Sequence, residues 1–177
     1  QGDIYTVLDE QIKSGKKFHL INLKNVLEHV LDPVQLLNKI QNLFEQKCLL
    51  RVVVPNDYSG FQEMLLEREK TNETWFAPPE HLHYFNIHSL KNLFEDLGFK
   101  VELMMTDFPI ELFLLNDHSN YARNQELGKG AHYSRVIASN FIFEQGMDNF
   151  IKYFSSSAAV DFGRQVIAYV TLYRSCN

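Results

Sequence analysis

The sequence predicts an α/β protein with a mostly parallel open sheet, and three observations carry that prediction. An apolar strand pattern at residues 18–23 leads into a polar turn and then into a helical start at Asp32-Pro33. A second apolar run at 48–54, rich in β-branched residues, follows that helix and stops at Pro55. The unit strand, helix, strand implies a right-handed crossover between parallel strands. In such sheets ligands lie outside the carboxyl ends of the strands, so the turn after residue 23 is the first place to seek function.

In the first unit, Asp32 is placed as an N-cap, with Pro33 at the first helical position, where its missing N–H costs nothing. Val34, Leu37, Ile40, Leu43 and Phe44 recur at three- and four-residue spacing, which predicts an amphipathic helix to about Gln46. Residues 48–54 are interrupted only by Arg51 and read as a buried parallel strand. A helix is expected over 57–72, then a loop over 71–85 rich in aromatics, Pro and His. Asn86 or His88 opens a further helix through Leu90, Leu93, Phe94 and Leu97, and Gly98 suits its left-handed terminus. Val101, Leu103 and Met105 alternate with Lys100 and Glu102, giving a strand over 99–106. Residues 107–163 read as mainly helical: an apolar turn at 110–115, then helices near 132–144 and 148–159. Residues 165–173 form a last β-rich strand.

The 177 residues, 45% hydrophobic and 22% charged, suit one globular body with a substantial core. A net charge of -5 gives no electrostatic reason to bind nucleic acid or an anionic membrane, and no apolar run reaches the roughly 20 residues of a transmembrane helix. Cys48 and Cys176 form no metal or redox spacing, so a reduced, cytoplasmic compartment is expected. There is no Gly-x-Ser-x-Gly elbow and no phosphate loop, which removes those hydrolase and nucleotide-triphosphatase readings.

The turn Leu27-Glu28-His29-Val30-Leu31-Asp32-Pro33 after an apolar strand resembles the fourth-strand signature of class I S-adenosylmethionine (SAM)-dependent methyltransferases. Further likeness lies in Val54-Pro55-Asn56-Asp57, in Pro79-Glu80-His81-Leu82-His83-Tyr84-Phe85-Asn86, in Ser89-Leu90 and in Leu97-Gly98-Phe99. Together these resemble the methyltransferases found with sugar, polyketide and cell-surface polysaccharide pathways, over about residues 3–106. The resemblance implies the C-terminal half of a Rossmann-like methyltransferase sheet, mostly parallel with one antiparallel strand, and a helical insertion before the last strand. There are departures: His19 stands where the family commonly has Asp, Gln46-Lys47 replaces a Gly-rich turn, and no Gly-x-Gly loop follows a predicted strand. That loop lets backbone approach the methionyl part of SAM. The expectation is therefore one incomplete domain at 1–177, with a sheet-and-helix core at 1–106, a helical insertion or lid at 107–163 and a final strand at 164–177.

The resemblance implies SAM as cofactor and a small polar acceptor, in the manner of a sugar or sugar-linked intermediate, with this chain supplying the acceptor side of the site. The chain alone is then expected to be inactive. Asp3 and Ile4, as the end of a strand loop that meets adenine, and Asn25 are the cofactor candidates. His29 is the candidate base, since imidazole titrates near neutrality, and Glu28 its orienting carboxylate. Neighbouring residues tend to point apart, so a structural role for both in the turn stays open. Trp75, His81, His83 and Tyr84 are candidates to line the acceptor pocket, or alternatively to roof the sheet. Tyr121, His132, Tyr133 and Arg135 lie in the insertion where this family builds its lid. Arg164 reads as an ion-pair or helix-terminal donor.

The cluster His81, His83 and His88 offers, with Glu28 and His29, a mixed nitrogen and oxygen donor set. Some RNA-tail 2′-O-methyltransferases resemble this with a Glu-x-x-Glu-His motif, but Asn25 stands in place of the first carboxylate, and no metal is assigned. The rival expectation is a non-catalytic α/β interaction domain or a degenerate methyltransferase that does not bind SAM. If the first three strands of the family's sheet are missing, the strand at 18–23 is expected to be a raw sheet edge that invites self-association.

Overall fold

The computed structural model describes residues 2–173; Cys176 lies outside them. The chain opens with α1 (Ile4–Lys13), a helix not anticipated from the sequence. Its signal was nevertheless present: Asp3 caps it, its side chain accepting from Thr6 N at 3.0 Å, and Ile4, Leu8 and Ile12 follow at four-residue spacing. Next come β1 (Phe18–Lys24), α2 (Pro33–Gln41) and β2 (Phe44–Pro55). Asp32 does cap α2, accepting from Gln35 N at 2.8 Å, with Pro33 in the first turn.

The helix over 33–46 is corrected at its end. Asn42 terminates α2, and Phe44 already belongs to β2. Phe18 pairs with Phe44 but Leu20 pairs with Leu49, so the β2 strand bulges over Glu45, Gln46 and Lys47, with Lys47 at φ 63°. Leu43 and Phe44 satisfied helical spacing while serving the sheet, because a short apolar segment fits both periods.

Downstream lie α3 (Gly60–Glu67), shorter than the 57–72 expected, then α4 (Ile87–Asp96) and β3 (Phe99–Thr106). Asn86 opens α4 through a reciprocal capping box with Ser89, and Gly98 takes φ 78° at its end. A 3-10 turn at Ile110–Leu115 and a shorter one at Gln125–Leu127 precede α5 (Gly128–Glu144), α6 (Met147–Ala159) and β4 (Gln165–Leu172).

The sheet order is β1-β2-β4-β3. The strands β1 and β2 are parallel, and β4 runs antiparallel to both β2 and β3. One strand is therefore antiparallel, and the carboxyl ends of β1, β2 and β3 meet the amino end of β4 on one rim. Alternate residues Leu50, Val52, Val54 of β2 and Val166, Ala168, Val170 of β4 enter the main core with Leu36, Leu37, Ile40 of α2 and Leu90, Phe94 of α4. Among the described residues β1 pairs only with β2, so its other edge is open, as expected from the sequence. An apolar groove of about 320 Å³ runs along that edge, lined by Ile4, Leu8, Phe18, Leu20 and Leu43 among others.

Candidate functional site at the carboxyl rim

The turn after β1 is held by backbone contacts across the rim. Asn25 takes φ 53° and its N–H donates to Val53 O at 2.9 Å, which ends β1 and turns the chain outward. His29 N then donates to Val26 O at 3.1 Å, closing a tight turn. The carbonyl of Glu28 accepts from both Leu82 N (2.8 Å) and His83 N (3.1 Å). That shared acceptor clamps the loop at 80–83 onto the loop at 25–32.

The clamp brings the two sequence segments into one cluster. Glu28 is 1% exposed, with Oε1 3.6 Å from His29 Nε2, while Oε2 is buried without a hydrogen-bond partner. The two neighbours meet because they sit on a turn, where the alternation of a strand does not apply. The Nδ1 of His29 lies 2.6 Å from Glu80 O. A carbonyl only accepts, so Nδ1 carries the hydrogen and Nε2 presents its lone pair toward Glu28 in the neutral ring. The rings of His29 and His81 meet edge to face at 4.9 Å. In turn, His81 Nδ1 is buried, lacks a partner and stands 4.0 Å from Asp57 Oδ2, itself without a partner.

Beyond Asp57 the chain of charges continues. Arg164 Nη1 reaches Asp57 Oδ1 and Glu111 Oε1, each at 3.5 Å, so the ion-pair reading of Arg164 fits its contacts. Glu111 also meets Gln62 Nε2 at 3.5 Å. Burial pushes the Asp57 carboxyl up to about 6; Arg164 opposes this while Glu28 and Glu111 add to it. Asp107 rises to about 6 for the same first reason, although it accepts N–H from Gln165 (2.7 Å) and Arg164 (3.0 Å). Tyr121 is pushed up to about 12 by burial and by Glu111, so the insertion reaches this site.

The other candidates are placed as follows. The hydroxyl of Tyr84 accepts from Ala77 N at 3.2 Å, and its ring stacks on Phe76 and meets His81. His83 Nε2 lies 3.4 Å from Leu31 O, its ring tilted against Phe85. Trp75 is 2% exposed and packs edge to face with Tyr58, so it supports the loop from within. Exposed His88 lies on the α4 surface, apart from the cluster that gathers Glu28, His29 and His81. Asp3 caps α1, and Ile4 lines the groove at the β1 edge. The hydroxyl of Tyr5 donates to Asp32 O at 2.9 Å and accepts from Asp32 N at 3.1 Å, which fixes the amino end of α1 beside the rim. The amide of Asn25 accepts from Gln165 Nε2 at 3.4 Å. Sequence reasoning gave no role to Asp57 or Glu111. For Glu111 the signal was a lone carboxylate inside the apolar turn Ile110-Glu111-Leu112.

A family model described as a methyltransferase domain matches residues 4–103. The chain belongs to this methyltransferase family. A SAM-dependent methyltransferase from Archaeoglobus fulgidus superposes with a TM-score of 0.53 at 14% identity, covering 96% of this chain and 65% of that one. This likeness shows the fold, the Rossmann-like methyltransferase sheet. The methyltransferase domain here spans less than two thirds of the archaeal protein's length. Phosphoethanolamine N-methyltransferase 2 from Haemonchus contortus, solved with S-adenosyl-L-methionine, matches with a TM-score of 0.42 at 13% identity, over 89% of this chain and 34% of that one. No curated protein matches the sequence. Among the described residues, no helix of this methyltransferase domain is long and apolar enough to cross a membrane.

Proposed function

We propose that this chain provides the acceptor side of a SAM-dependent methyl-transfer site acting on a hydroxyl of a small polar molecule, such as a sugar or sugar-linked intermediate. The observation that carries the reading is the convergence of buried Glu28 with His29 and His81 at the carboxyl rim. Methyl transfer to a hydroxyl requires alignment of the reactants and removal of a proton. The Nε2 of His29, freed by the Nδ1–H···O=C contact to Glu80, is the atom suited to take it. Glu28 stabilises the resulting imidazolium, and His81, His83 and Tyr84 shape the acceptor side.

The reading assigns residues to the nucleoside end of the cofactor and none to its methionyl end. Asp3 and Asn25 are taken as the nucleoside-side residues, Asp3 as the cap of α1 and Asn25 on the φ 53° turn that ends β1. The methionyl end needs close backbone approach, which a glycine loop after a strand allows, and the one Gly-x-Gly in the sequence, Gly128-Lys129-Gly130, instead opens α5. SAM, when bound, supplies an electrophilic methyl group. Binding by this chain is accordingly weak, and activity of the isolated chain is not expected. We include in the same reading a single domain, a lid role for 107–163 and self-association through the β1 edge.

Amide chemical shifts on adding SAM test the reading. Millimolar binding that perturbs Asp3, Asn25 and Glu28 supports it. No response would favour a degenerate, non-catalytic domain. A response confined to the separate cavity of about 410 Å³ lined by Leu66, Thr71, Asn72 and Arg123 would place the ligand elsewhere.

A further inference from the structure

The geometry points to a divalent metal site formed by Glu28, His29 and His81. In the neutral tautomer, the Nε2 lone pair of His29 faces the Glu28 carboxylate at 3.6 Å, two acceptors with no hydrogen between them. Such a confrontation, with Glu28 1% exposed, calls for a cation between them. One ligand atom from each of Glu28, His29 and His81 lies within 4.8 Å of the others. Donors about 2.1 Å from a shared ion stand roughly 3.4 Å apart in a tetrahedron, near the 3.6 Å already present between Glu28 and His29.

Two further observations bear on the site. Glu28 Oε2 is buried and has no hydrogen-bond partner. The hydrogen bond from His29 Nδ1 to Glu80 O at 2.6 Å is the kind of outer contact that orients a metal-ligating imidazole and fixes its tautomer. The clamp from Leu82 N and His83 N onto Glu28 O holds His81 in register with His29 although 52 positions separate them. Just beyond, Asp57 Oδ2 near His81 Nδ1 adds negative charge that favours a cation.

Two imidazoles and a carboxylate suit zinc, iron, cobalt or nickel better than magnesium or calcium. Three protein donors leave at least one coordination position for an outside oxygen. With the metal bound, His29 Nε2 is a ligand and the metal, in place of that base, would acidify the acceptor hydroxyl; this use rests on the methyl-transfer reading, and the metal site itself stands on the contacts above.

The test is calorimetric titration of the chelator-treated 177-residue chain with Zn2+, and separately with Mg2+, without SAM. One Zn2+ per chain, with Mg2+ at least tenfold weaker, is expected. His29→Ala and His81→Ala should each weaken Zn2+ binding tenfold or more, while His88→Ala leaves it unchanged. In the unsubstituted chain, Co2+ should broaden the ring signals of His29 and His81 before those of His88, which keeps the test valid if a variant misfolds. Absent binding, binding indifferent to both substitutions, or ring signals that respond to protons but not to metal would overturn the site. Zinc bound without any response to SAM would leave the site standing and count against the methyl-transfer reading alone.

Discussion

Gly163 is the residue whose side chain is most constrained to absence. It holds φ 150°, and a Cβ there would sit 2.3 Å from Thr106 Cβ and 2.7 Å from Asp107 O. Its carbonyl accepts from Asn56 Nδ2 at 3.0 Å, and the next residue is Arg164, which joins Asp57 to Glu111. A clash of that depth against backbone cannot relax by rotamer change, so Gly163→Ala should cost about 2 kcal/mol or more. Urea unfolding would measure it, and a loss of only a few tenths would mean that the rim yields more easily than its contacts imply.

At the scale of elements, the open side of β1 is the exposed feature with the clearest consequence. Leu20 is 63% exposed beside an apolar groove, and the backbone of one whole edge has no strand partner among the described residues. A second copy pairing edge to edge would cover both. Leu20→Lys should therefore lower the apparent mass in light scattering at high concentration; a monomer in both proteins would defeat the idea. Most elements were legible in the sequence because local chemistry and global placement agree, as at Asp32-Pro33 and Asn86. Less legible were α1, of which only Ile4 had a reading, with Asp3 as the tail of a loop, and the bulge over Glu45, Gln46 and Lys47, which follows from strand register rather than from local propensity. The Glu28-His29 turn could be placed at the rim from strand order alone. Its meeting with His81 could not, because backbone bonds from Leu82 and His83 create it, and such bonds leave no side-chain signature.

For the whole molecule, charge packed along the rim sets a pH dependence. An unfolded Asp titrates near 3.9, whereas Asp57 and Asp107 titrate at about 6 when folded. Between these values the folded chain retains protons that the unfolded chain has lost. Their contribution to stability therefore falls as pH rises from about 4 to about 6 and stays level above that. Asp57→Asn removes one of the two terms, so the variant should gain on the unsubstituted chain across that window, by an amount on the order of 2 kcal/mol. Paired thermal melts across the window would check this, and a pH-independent difference between the two proteins would refute it.

The carbonyl of Glu28, shared by Leu82 N and His83 N, has a kinetic consequence. Both amide protons depend on one oxygen, so neither becomes free to trade with deuterated solvent until the two loops part. They should exchange together at matched rates, and any molecule that spans the loops should slow both equally, giving a paired clock for the opening of the rim.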